Sequence, residues 1–276
     1  MKKALLVLLI LIGQVRVTWS QESVAFYENL NFQTKAEKEF WQSGVTNPFS
    51  LFQAVQAEQT PSLAEWERLV DELDLKASKK RNDFKFIRQV FEKTHQKLFH
   101  TYEQHSTFNQ MLNEGKFDCV SGSAALSLLL DRYGYEFDIV ETDYHVFLVV
   151  NLEGKKIVLE STLPIGGMIT TPSEVQKYID SYKPAEFALL KSYNQSLAGT
   201  EIEFSDNSIF RKVNLKQLAG LQYYNDAIVH FNSQEYTKAV DQLSKAYLLY
   251  PSERILGLRE LSVDLAYKSY GYELKK

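Results

Sequence analysis

The apolar positions first form an unbroken run, Ala4 to Ile12, and thereafter recur at helical spacing. Leu63, Trp66, Leu69, Val70 and Leu73 mark one face of a helix. Ser62 stands before it with Glu65 three residues on, the spacing of a capping box. Asn82-Asp83 opens a second helix, with a face through Phe84, Phe86, Ile87, Val90, Phe91, His95 and Leu98 that reads as core. A third is predicted from Val120 to Tyr133, with Ala124, Leu128 and Leu129 turned inward and Gly134 as its stop.

The period then shortens. Phe137 to Val140 predicts a short strand, and Tyr144 to Asn151 and Lys155 to Ser161 predict two more, joined as a hairpin around Leu152-Glu153-Gly154. Phe147 and Val149 lie on one face of the Tyr144 strand, and Val146, Leu148 and Val150 on the other. A strand apolar on both faces belongs at the centre of a covered sheet. Thr171-Pro172-Ser173-Glu174 starts another helix, with a capping threonine and Pro at its first position. Leu163 to Gly167, after the last strand, reads either as a loop covering a cleft or as a plain turn.

Residues 211–276 read as helical with a different period. Tyr223, Ala227, Tyr236, Ala239, Leu243, Ala246 and Pro251 stand at the spacing of a tetratricopeptide unit, which this stretch resembles, although Asp226 and His230 occupy positions usually apolar or aromatic. One unit cannot bury its own faces, so it is expected to pack on the preceding domain. It would serve there as a helical buttress or as a surface for a protein partner.

Charge and export change the picture next. Lys2 and Lys3, the nine apolar residues from Ala4 to Ile12 and the small residues Thr18 and Ser20 form a secretory signal pattern. Nine apolar residues are too few to cross a bilayer, and no later stretch is longer. The chain is therefore expected to be exported, periplasmic or secreted, with cleavage near Ser20 and no membrane span in the mature protein. Losing Lys2, Lys3 and Arg16 takes the net charge from −4 to −7. An acidic chain without a basic cluster carries no footprint for nucleic acid.

An exported chain with one cysteine cannot form an internal disulfide, which makes Cys119 conspicuous. It sits before the apolar helix, where a helix N-terminus favours a thiolate. A catalytic thiol needs a base, and an imidazole base needs an acceptor to hold its tautomer. His145 and Glu160 fit these roles. With the hairpin turn at Glu153-Gly154, Phe147 pairs with Glu160 and His145 lies one diagonal step away; with the turn at Leu152-Glu153, His145 pairs with Glu160 directly. Either register puts both side chains on one face. His95, His100 and His105 are five apart, a spacing that does not suit metal ligands on one helix face. Metal binding by Cys119, His145 and Glu160 ranks below a triad, and no cofactor is expected.

The stretch Phe117-Asp118-Cys119, Ala124, Leu128-Leu129, Arg132, Gly134, then His145, then Glu160-Ser161-Thr162, resembles the core of the transglutaminase-like superfamily. The resemblance runs from about Asp83 to Pro164. It implies an α+β fold of the papain/transglutaminase-like kind, in which a Cys helix packs on a small antiparallel sheet, flanked by helical N-terminal and tetratricopeptide-like C-terminal regions. It also implies Cys119 as nucleophile, His145 as general base and acid, and Glu160 as the residue orienting His145. The family usually has Asp where this chain has Glu160, and often an aromatic pair where it has Val146-Phe147. The side-chain oxyanion donor is open among Gln104, Gln110, Tyr102 and none.

The domain order expected is a signal peptide at 1–20, a helical region at 21–81, a transglutaminase-like core at 82–210 and a tetratricopeptide-like region at 211–276. The expected function is thiol-dependent amide hydrolysis or acyl transfer on a protein or peptide substrate, with peptidase or amidase favoured over transglutaminase. The alternative is a catalytically silent relative that holds a partner through its C-terminal helices.

Overall fold

A computed structural model describes residues 30–44, 46–57, 61–78, 82–184 and 208–274. The expected signal peptide at 1–20 lies outside the described residues. Thr34–Lys276 forms one compact unit, so the N-terminal helices, the sheet and the C-terminal helices are not separate units. The fold is α+β.

Four helices precede the site: α1 (Lys35–Ser43), α2 (Pro48–Ala54), α3 (Ala64–Ala77) and α4 (Asp83–Leu98). Asn82 caps α4, its side chain accepting the Lys85 N–H at 3.0 Å. All of the predicted α4 face is buried except Phe84, which is partly covered. The expected capping box on α3 does not form. The helix starts after Leu63 with no side-chain cap, and the Ser62 N–H donates instead to Asn113 Oδ1 at 2.9 Å. Ser62 lies one residue too early to close the box.

A short parallel pair, β1 (Thr101–Tyr102) and β2 (Lys116–Phe117), brackets α5 (Phe108–Glu114) and leads into α6 (Cys119–Arg132). Helix α6 is sequestered almost all round. Ala124 and Leu129 are buried as predicted, but Leu128 is only partly covered, and Leu126 and Leu130 take the fully enclosed positions. A helix apolar on most sides does not announce a single face. It ends as expected at Gly134 (φ +74°), where the N–H groups of Gly134 and Tyr135 return to the carbonyls of Asp131 and Leu130.

The main sheet comprises β3 (Phe137–Thr142), β4 (Val146–Leu152), β5 (Lys155–Leu159), β6 (Met168–Ile169) and β7 (Phe210–Val213). Its strands lie in the order β6-β5-β4-β3-β7, and neighbours run antiparallel. β4 is central, as its two apolar faces require. Phe147 and Val149 meet Val175 and Ile179 of α7 (Pro172–Ser181) on one face. Helix α6 covers the other face, with Ser123 Oγ donating to the Val146 carbonyl at 3.3 Å. Thr171 is the N-cap of α7 and Pro172 its first residue, but the threonine side chain makes no capping bond.

The C-terminal region opens with a strand where a helix was expected: β7 extends the sheet beside β3. Three helices follow, α8 (Leu215–Asn232), α9 (Tyr236–Leu249) and α10 (Glu253–Tyr270). Tyr223, Ala227, Ala239, Leu243 and Ala246 are fully buried where α8 and α9 pack, whereas Tyr236 is only partly covered. Helix α8 also packs against α6 and α2, so the pair rests on the rest of the unit as expected. Asp226 is buried in place of an apolar residue and is satisfied by the amides of Gln56 (2.6 Å) and Gln242.

Candidate active site

Cys119 is the first residue of α6 and is 8% exposed. The N-cap is Asp118, which forms a reciprocal capping box with Ser121: Ser121 N–H donates to Asp118 Oδ1 at 2.7 Å, and Asp118 N–H to Ser121 Oγ at 2.9 Å. Sequence reasoning missed this cap because the partner is Ser rather than the Glu or Gln that marks the motif. Further along α6, a Cβ on Gly122 would lie 2.8 Å from Ser161 Oγ. Glycine there lets the Cys helix approach the end of β5.

β4 arrives at the site through a tight reversal. Thr142 N–H donates to the His145 carbonyl at 2.8 Å, and His145 N–H to Thr142 Oγ1 at 3.1 Å. His145 thus lies just before β4, not within it, and Tyr144 beside it is exposed. The β4–β5 hairpin takes the first of the two registers considered. Leu152 pairs with Lys155, and Glu153 and Gly154 form the turn with φ of 50° and 79°. Glu160 therefore follows β5, on the same side as His145.

The two side chains meet. His145 Nε2 is 2.5 Å from Glu160 Oε2. Glu160 is also the acceptor for Thr162 N–H (2.9 Å) and Thr162 Oγ1 (2.6 Å) on Oε1, and for the Tyr178 hydroxyl on Oε2. Burial alone would raise the Glu160 carboxyl. The His145 hydrogen bond and charge, followed by the Thr162 and Tyr178 hydrogen bonds, outweigh it and hold the group below its ordinary value. Nε2 is thereby committed to Glu160, leaving Nδ1 as the other ring nitrogen.

Tyr178 and Tyr182 were not singled out from the sequence. Tyr182 stacks on the His145 ring at 5.7 Å between centroids, and Tyr178 packs edge-on to Phe147 at 5.1 Å. Their signal was the four-residue interval on a helix that follows the acid, which puts both on one helix face. Burial, then the Glu160 charge, keep the Tyr178 hydroxyl protonated and hence a donor.

Cys119 and His145 line one cavity of about 430 Å³. Tyr102 and Gln104 line it too, whereas Gln110 does not; its side chain closes the Thr107 cap of α5 instead. Leu163 to Gly167 contributes nothing to the cavity wall and turns the chain from β5 to β6, with Glu160 N–H bonded to the Gly167 carbonyl at 2.8 Å. The thiol itself is not pre-ionised. Burial first, and then the Asp118 charge, push it well above its ordinary value, against a backbone hydrogen bond from Val146. Among the described residues no group of three or more His, Cys, Asp or Glu is arranged to hold a metal ion.

Compared with known proteins, the chain matches no model of a protein family, no curated protein and no solved structure.

Proposed function

We propose that this chain is an exported thiol-dependent amide hydrolase, built on a transglutaminase-like core and acting through Cys119, His145 and Glu160. The observation that carries the reading is the 2.5 Å bond between His145 Nε2 and Glu160, in a carboxylate site completed by Thr162, beside a cavity that His145 shares with Cys119. A buried carboxylate fixing one imidazole nitrogen leaves the other to handle a proton.

The neutral thiol sets the order of events. As the Cys119 sulfur bonds to the acyl carbon, its proton passes to His145, so the base acts during attack rather than before it. The oxyanion forms beside the first turn of α6, where the Cys119 N–H is a donor. The tetrahedral adduct then collapses, the C–N bond breaks, and the amine leaves with the proton from His145. Water, deprotonated by His145, cleaves the thioester and releases the acid and the free thiol. Transfer to a second amine is the same chemistry with another nucleophile. Hydrolysis is favoured because water is always present.

The burial of Cys119 favours a second reading, a relative that keeps the fold without turnover and binds a partner through its C-terminal helices. Labelling with a thiol-directed acylating probe separates the two. The wild type is expected to label, Cys119→Ser not at all, and His145→Ala about 10²–10⁴-fold more slowly. Equal labelling of wild type and Cys119→Ser overturns the enzyme reading.

A further inference from the structure

The wall of the cavity beyond Cys119 comes from the C-terminal region. Leu221, Tyr224, Asn225, Ile228 and Asn232 of α8 line it, a stripe with the three- and four-residue steps of one helix face. Asn225 Nδ2 donates to Asp118 Oδ2 at 3.1 Å, so the middle of the stripe lies beside the residue that precedes Cys119. The general acid His145 is held separately, from the sheet side.

Arg254, Asp143 and Asp118 in the wall are engaged within the protein, whereas His105 also lines the cavity and its Nδ1 has no hydrogen-bond partner among the described residues. Arg254 Nη2 is 2.6 Å from Glu141, its Nη1 donates to the Asp143 carbonyl at 3.3 Å, and its guanidinium lies 4.8 Å from the Tyr224 ring centroid. Asp143 accepts from Ser208 N–H (2.8 Å), Ser208 Oγ (2.5 Å) and Ile209 N–H (3.0 Å). Asp118 is occupied by Ser121 and Asn225. A charged ligand group seated on this face of α8 would lose its hydration against Leu221, Tyr224 and Ile228, which carry no counter-charge. An apolar or aromatic group would meet Leu221, Ile228 and a tyrosine ring braced by Arg254, with the uncharged amides of Asn225 and Asn232 on the same face.

We propose that this face of α8 is the acyl-group subsite of the cleft and selects an uncharged apolar or aromatic acyl group. The proposal rests on the thiol chemistry above. The acyl group is the part that stays on the Cys119 sulfur, whereas the leaving group departs with the proton from His145. The tetratricopeptide-like helices are thus part of the substrate site rather than a buttress behind it.

The test uses p-nitrophenyl esters that share one leaving group. Cys119 takes the acyl group as a thioester, its proton leaves with p-nitrophenol by way of His145, and water releases the acid. The full chain should process phenylacetyl and butyryl esters with kcat/KM at least about tenfold above that of the anionic succinyl and cationic 4-aminobutyryl esters. Ile228→Asp should reverse the order in favour of the cationic ester. Ile228 is only partly buried, and ratios within one variant cancel differences in the amount folded. Ile228→Trp provides a second reading by shifting preference from phenylacetyl to acetyl. Equal rates for neutral and charged esters, or an order unmoved by both variants, overturn the subsite. Release by the wild type no faster than by Cys119→Ser instead overturns the thiol chemistry, and the subsite with it.

Discussion

Asp118 and Cys119 are neighbours with opposed demands: the carboxylate that caps α6 is the charge that, after burial, most disfavours a thiolate at the first position of the same helix. The helix N-terminus favours negative charge, but Asp118 has already taken that place. Asp118→Asn keeps a good capping side chain and removes the charge. The rate of Cys119 alkylation by iodoacetamide, followed against pH, should rise at lower pH in the variant than in the wild type. A curve that stays in place, or moves upward, contradicts the electrostatic account.

Glu160 contributes differently on the two sides of its titration. Its carboxyl is held below the ordinary value of 4.5, so its stabilising effect is fully present above 4.5 and is lost as the pH falls through the folded-state value. Glu160→Gln removes charge-assisted bonds to a buried group, at a cost of about 2–3 kcal/mol. Urea unfolding should show that gap at neutral pH and a narrower one below 4.5. Tyr178→Phe removes one donor and keeps the ring contacts with Phe147 and Tyr182. It should cost about 1 kcal/mol and leave Cys119 labelling detectable.

The parts of this arrangement that follow from alternation were legible in the sequence. A strand apolar on both faces had to be central, and β4 is; a two-residue side-chain period put His145 and Glu160 on one side in either register. Contacts that depend on distant packing were not legible. The spacing of Tyr178 and Tyr182 says they share a face, but not that the face covers His145. Phe210 to Val213 is too short and too charged to announce a strand, with Arg211 and Lys212 inside it, and only the free edge of β3 makes it one. The tetratricopeptide spacing indicated that α8 and α9 pair, yet nothing in it said that α8 would face Cys119.

Gly122 reports on the seat of the Cys helix. An added methyl would lie 2.8 Å from Ser161 Oγ and 2.9 Å from Ser161 Cβ, closer than real contacts allow. Ser161 is fully buried, so neither side can give way freely. Gly122→Ala should cost about 1–3 kcal/mol by overpacking, despite the better helix propensity of alanine. Urea denaturation measures the loss. Combining it with Ser161→Gly should recover part of the stability, whereas an additive double variant would mean that the two residues do not press on each other.

Glu141 joins the sheet to the C-terminal helices. It is fully buried in β3, accepts hydrogen bonds from Arg211 of β7 at 2.8 Å and from the Tyr250 hydroxyl, and forms an ion pair with Arg254 of α10 at 2.6 Å. Removing the carboxylate leaves two guanidinium groups without their counter-charge, and the bond from Arg254 to the Asp143 carbonyl no longer has a fixed base. Glu141→Gln should therefore destabilise the fold by about 3 kcal/mol, as breaking one side of a buried pair does. The same change loosens the Asp143-Tyr144 reversal that delivers His145, so Cys119 labelling should fall even at temperatures where the variant is fully folded. A variant that unfolds earlier yet labels at the wild-type rate while folded would confine Glu141 to stability and detach it from the site.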